Sequence, residues 1–223
     1  MMKKLIMPFL LLMMGINSAS AQIYEIVNQI PSLLSPALSG SGSYKGSLEA
    51  GWSKTLGDKK ADFLEFSTSQ GYQYNSWFYM GAGIGADILF AHQNNNWGQD
   101  WEIDYPSYAG HSSTKTAVML PVFTDFRASF GAPDKVGFFI DLRLGCSFLL
   151  SDQYIEIGNG YLTNREYFYL RPSLGFRIPT STNHPKQAVM LGISYKLLTS
   201  NYWYSYSRST TLNSLGVNLG FEW

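Results

Sequence analysis

The residues of this sequence that could do chemistry are few. Its three histidines are His92, His111 and His184, and its one cysteine is Cys146. No His-x-x-x-His or Cys-x-x-Cys spacing occurs, so no structural metal site is expected. One pair holds the minimum for nucleophilic catalysis, a base beside a hydroxyl. His111 and Ser113 stand two apart and share a face if the segment is extended. No third group is evident to orient them. Asp125 has the matching parity, but it lies roughly 12 residues, or about 40 Å, further along the strand. The run Gly81-Ala82-Gly83-Ile84-Gly85 repeats small residues at period two. On a strand that signals backbone crowding, not a phosphate cradle. The expectation is a protein without a cofactor and without enzymatic activity, His111 and Ser113 being the weak catalytic candidates.

Composition narrows the class. The chain has 223 residues, with 16 Lys plus Arg against 16 Asp plus Glu. A nucleic-acid binder would carry a basic excess. Charged residues are 14 % and aromatic ones 16 %, and there are 21 glycines. A disordered chain would be richer in charge and poorer in aromatics. With a mean hydropathy of -0.08, a bundle of membrane helices is also excluded. An all-β protein with a large apolar surface remains.

The first 21 residues read as a cleaved signal peptide. Lys3 and Lys4 precede an apolar run from Leu5 to Met14, and Ala19-Ser20-Ala21 is a small-residue cleavage site. The apolar run is too short for a bilayer anchor. A lone cysteine forms no intramolecular disulfide, so the exported fold needs other stabilisation. Residues 22–41 differ from the rest. Ile23, Val27, Ile30 and Leu34 recur at helical spacing, interrupted by Pro31 and Pro36. That predicts a short helical segment on the periplasmic side, ahead of a barrel over 42–223.

From Gly42 onward the hydrophobic period is two. Strands are predicted over 42–54, 62–74, 76–90, 114–128, 136–150, 166–178, 188–198 and 210–223. Each is long enough to cross a bilayer at a tilt, where soluble strands average about 5–6 residues. In-strand charges sort to the polar faces: Lys45, Lys115, Arg127, Arg143, Arg171, Arg177 and Lys196, against Glu49, Glu65, Asp87, Asp125, Asp141 and Glu222. Such a balanced set suits a narrow interior in which opposite charges pair. A soluble carrier would instead turn its apolar face inward. The crowded Gly81, Gly83 and Gly85 on the polar face favour that face as the concave one. Short connections alternate with long ones, as periplasmic turns alternate with outer loops. An even strand count then leaves both ends of the barrel chain on the periplasmic side. Aromatics near strand ends fit interfacial girdles. Three residues fit badly: Gln70 falls on the lipid face, and Pro121 and Pro172 sit inside strands, where a local bulge would accommodate them.

The segment 42–223, ending in Gly220-Phe221-Glu222-Trp223, resembles the small eight-stranded outer-membrane β-barrels of the OmpA/OmpX type. The resemblance implies an all-β, eight-stranded, antiparallel up-and-down barrel in the outer membrane of a Gram-negative envelope. It implies contact with membrane lipid and lipopolysaccharide, and recognition of the last strand by the barrel insertion machinery. The His111/Ser113 pair is similar to the His-x-Ser pair of outer-membrane lipid A deacylases. Three functions are open: a structural or surface-interaction protein, a narrow porin-like channel, and a lipid-modifying enzyme. The first would use loop aromatics, namely Trp97, Trp101, Tyr202, Trp203 and Tyr204, against an extracellular protein or glycan. The second would use the interior charges to select ions.

Overall fold

The computed structural model describes residues 43–92, 116–151, 155–157, 160–162, 164–180, 187–200 and 210–223. The expected helical segment, the signal peptide and Lys115 lie outside them. The described residues form ten strands: β1 Ser43–Thr55, β2 Ala61–Gln73, β3 Phe78–Ala91, β4 Thr116–Phe130, β5 Gly137–Leu149, β6 Ile155–Ile157, β7 Gly160–Leu162, β8 Glu166–Pro179, β9 Ala188–Ser200 and β10 Thr210–Glu222. Eight of them close one antiparallel barrel in the order β1-β10-β9-β8-β5-β4-β3-β2. β6 and β7 pair only with each other.

The register fixes the barrel's dimensions. Starting at Gly46, cross-strand neighbours run through Gln70, Ala82, Thr124, Leu144, Leu170, Leu197 and Asn213. The Leu56 N–H then donates to the Asn213 carbonyl at 2.7 Å. One circuit therefore returns to β1 ten residues beyond Gly46. With eight strands this stagger corresponds to a tilt of about 40°. A strand of 13 residues then rises roughly 30 Å, the thickness of a bilayer's hydrocarbon core.

Alternation divides the strands cleanly. Outward positions include Leu48, Trp52, Phe66, Ile84, Val122, Leu144, Leu174, Ile193 and Val217, all exposed. Inward positions carry the buried charges. Outward apolar residues form interfacial clusters. The rings of Phe130, Phe138 and Phe176 lie 6.3 Å apart in sequence around one end. Phe221 stacks on Trp223 there as well, also at 6.3 Å. Phe78 departs from its outward parity: it is buried, with the rings of Tyr74 and Trp77 beside it.

The poorly fitting residues have local answers. No bulge accompanies either proline. The register on both sides of Pro121 and Pro172 is continuous, so the expected bulges are corrected to simple gaps in one ladder each. Pairing skips Gly85–Pro121 and Ala86–Leu120 between β3 and β4, and Arg171–Lys196 and Pro172–Tyr195 between β8 and β9. The other edge of each proline's strand pairs throughout. Gln70 accepts a hydrogen bond from the Tyr44 hydroxyl and donates to Thr68 Oγ1 at 3.0 Å, so its amide is partnered on the lipid side. Gly46 makes room for this arrangement, since a Cβ there would fall 2.6 Å from both Gln70 Oε1 and the Trp223 ring.

Candidate functional site

The barrel interior is lined by a stack of buried charged side chains. The structure places Lys45, Glu49, Glu65, Asp87, Asp125, Arg127, Asp141, Arg143, Arg171, Arg177, Lys196 and Glu222 inside it, all buried. Six cations face six anions. They pair in tiers because each strand delivers a charge at its own height.

The lowest tier centres on Glu222 of β10. Lys45 Nζ lies 2.8 Å from it and Arg127 3.3 Å, and Arg177 Nε donates to it as well. Arg127 also meets Asp125 at 3.3 Å and stands over the Tyr79 ring. In the middle tier Arg143 and Arg171 are direct cross-strand partners. Like charges so placed repel. Glu49 reaches them from β1. It accepts from Arg143 Nη1 and Nη2 at 3.1 and 2.9 Å, from Arg171 Nη1 at 2.6 Å and from Asn218 Nδ2 at 3.2 Å. Asp141 completes the Arg143 contacts at 3.2 Å. The upper tier joins Glu65 to Arg171 at 3.2 Å and to Lys196 at 2.7 Å, with Asp87 2.9 Å from Lys196. Lys196 Nζ also sits 3.7 Å from the centre of the Phe63 ring.

Crowding is tightest beside the inward glycines. A Cβ on Gly83 would lie 2.4 Å from the Phe123 ring, so only glycine admits that ring to the lumen. Phe123 in turn stacks on Tyr169 at 5.8 Å and lies under the Arg143 guanidinium.

Above the charges the lumen becomes apolar. Phe63, Leu89, Met119, Leu149, Tyr167, Leu198 and Leu212 line the mouth, and Ile155, Ile157 and Leu162 of the β6–β7 hairpin join them with no exposed surface. The strands predicted from alternation leave 151–165 as a connection and sort charges to the inward faces, whereas the structure makes this mouth apolar. The missed signal was Gly158-Asn159-Gly160 between apolar residues, a two-residue hairpin pattern. Inward-parity Phe63, Leu89, Leu198 and Leu212 were the second clue.

His111, Ser113, Trp97, Trp101, Tyr202, Trp203 and Tyr204 lie outside the described residues. His92 sits at the rim with Nε2 3.0 Å from Asp62 Oδ2. Cys146 is exposed on the outward face. Among the described residues no three His, Cys, Asp or Glu side chains gather as a metal site. Chemically, the lumen carboxylates act as counter-ions. Buried unpaired charges would cost several kcal/mol each, so the tiers hold one another in place.

The exterior is a belt of apolar side chains around the whole barrel. Such a surface belongs in hydrocarbon, where a closed barrel leaves no backbone edge unpaired.

The sequence matches no known protein family and no curated protein. Solved structures do resemble the fold. Neisserial surface protein A superposes with a TM-score of 0.53 at 12 % identity, covering 82 % of this chain and 97 % of its own. The N-terminal β-barrel domain of Pseudomonas aeruginosa OprF gives 0.43 at 10 % identity, over 82 % and 100 %. The outer membrane enzyme PagL gives 0.48 at 15 % identity, over 78 % and 97 %. The closed eight-strand register agrees with the first of these likenesses: the chain has the fold of the small eight-stranded outer-membrane β-barrels.

Proposed function

We propose that this protein is exported behind a cleaved signal peptide, resides in the outer membrane and serves as a structural or surface-interaction protein. It presents its longer connections outside the cell and carries out no reaction. The observation that supports this reading is the filled lumen. An eight-stranded barrel is only just wide enough for side chains. Here six cations paired with six anions occupy its lower part, and the β6–β7 hairpin closes the mouth with apolar contacts. A solute path would have to displace one or both. The surfaces left for recognition are the outer connections and the rim. Contacts there are expected with lipid, lipopolysaccharide and an extracellular protein or glycan, Trp97, Trp101, Tyr202, Trp203 and Tyr204 being the aromatic contact residues. Reconstitution in planar bilayers tests the reading. Absence of discrete conductance steps supports it, and reproducible single-channel steps replace it with the porin-like alternative. Replacing residues 94–101 by a short Gly-Ser turn should abolish binding to cell-surface extracts and leave the barrel folded.

A further inference from the structure

The β6–β7 hairpin packs inside the barrel yet takes no place in its wall. Its two strands form a sheet of their own, and among the described residues no backbone ladder joins that sheet to the eight wall strands. The connection leaves from β5 and returns to β8. There the Leu149 N–H donates to the Arg165 carbonyl at 2.7 Å and closes the stem. From the stem β6 reaches past β4 to lie against β3. Side-chain burial seats it. Ile155, Ile157 and Leu162 have no exposed surface, and Asn164 Nδ2 donates to Ser200 Oγ at the end of β9.

Seating also strands polar atoms. Ser147 faces inward on β5 with no exposed surface, opposite Tyr167 of the apolar mouth, and its Oγ has no hydrogen-bond partner. Asn164 Oδ1 is likewise buried and unpartnered. Leaving such an atom orphaned costs an amount comparable to what one buried aliphatic side chain gains. Lifting the hairpin would let water reach both atoms and would break no wall ladder. We propose that the hairpin is a removable stopper. The folded barrel exchanges between a seated form and a lifted one. Ser147 and Asn164 Oδ1 favour lifting; the Asn164–Ser200 bond and the three aliphatic side chains favour seating. The ion-paired tiers below stay in place, so lifting uncovers an apolar recess with a closed floor and not a passage through the membrane.

Hydrogen exchange of the full chain refolded in lipid vesicles, read on peptic peptides, tests the stopper. Amides of β6 and β7 should exchange at least about a hundredfold faster than those of the β9–β10 ladder, and at least about tenfold slower than an unstructured chain. Their rates should change little with urea below the unfolding transition, because a local opening exposes little surface. Ser147→Ala relieves one orphan and should slow hairpin exchange about fivefold, whereas Ser200→Ala removes the latch and should speed it about fivefold. Wall amides should keep their rates in both variants, and Lys135→Gln in the β4–β5 turn should change nothing. Hairpin amides that exchange only together with the wall overturn the proposal, because the hairpin would then be permanent core. Exchange at the rate of an unstructured chain overturns it too, because the hairpin would never seat. A Ser147→Ala rate equal to or above that of the unaltered chain overturns the balance that sets the exchange. Migration before and after boiling in SDS establishes each barrel before its exchange is read, and the unaltered chain alone decides whether the hairpin lifts.

Discussion

Glu49 is the strongest point at which to perturb the interior. Its carboxylate is the common acceptor for Arg143, Arg171 and Asn218, and the two arginines it holds are cross-strand partners. Glu49→Gln keeps the shape and removes the charge. Two guanidiniums then face each other, and the new amide nitrogen points a donor at donors. Removing one partner from a buried ion pair costs about 3–5 kcal/mol. With a urea slope of about 2–3 kcal/mol/M, a loss of about 4 kcal/mol lowers the unfolding midpoint by about 1.3–2 M. The assay is equilibrium unfolding of the protein refolded in lipid vesicles, followed by tryptophan fluorescence. A second measurement isolates the pair. Because Arg143→Gln removes the matching cation, Glu49→Gln/Arg143→Gln should cost at least about 1 kcal/mol less than the two single changes together. A Glu49→Gln shift under about 0.3 M would refute the reasoning, and so would additivity within about 0.5 kcal/mol. Either result would mean that water reaches this tier and screens it.

Other perturbations follow from the same picture. Gly83→Val should prevent barrel formation, because the Cβ alone would enter the Phe123 ring; retention of the heat-modifiable band would contradict this. Ile157→Asp should release the hairpin without unfolding the barrel, so limited proteolysis should cut between 150 and 165 while the remaining strands stay protected. Raising NaCl from 0.1 to 1 M should move the unfolding midpoint little, since screening acts on exposed charges and these are enclosed; a large salt-induced loss would indicate an open lumen. Trp223→Ala should weaken closure at the rim, because it removes the ring that stacks on Phe221 at 6.3 Å and covers Gly46, and refolding half-times should lengthen.

The eight long strands were legible because lipid and lumen demand opposite side chains at every second residue. Arg143, Arg171 and Lys196 could be assigned inward from parity alone. Their partners could not. Glu49 is over ninety residues from Arg143 in sequence, and only the barrel's stagger brings them level. Pro121 and Pro172 misled because a bulge is the usual remedy, whereas here a two-residue gap on one edge suffices. The hairpin escaped notice because three-residue strands are too short for alternation to register. Its Ile-Glu-Ile and Tyr-Leu segments have meaning only against the apolar mouth they enter.

The seam between β1 and β10 joins Ser47 to Glu222. Loop-closure entropy makes such remote pairings slow to form. Every tier also has members from both halves of the chain, as Lys45 with Glu222 and Glu49 with Arg171 illustrate. Half a polypeptide would therefore expose unmatched ions and open edges together. Productive assembly must await translation through the last strand, and until then the chain depends on being kept soluble in an extended, unpaired form.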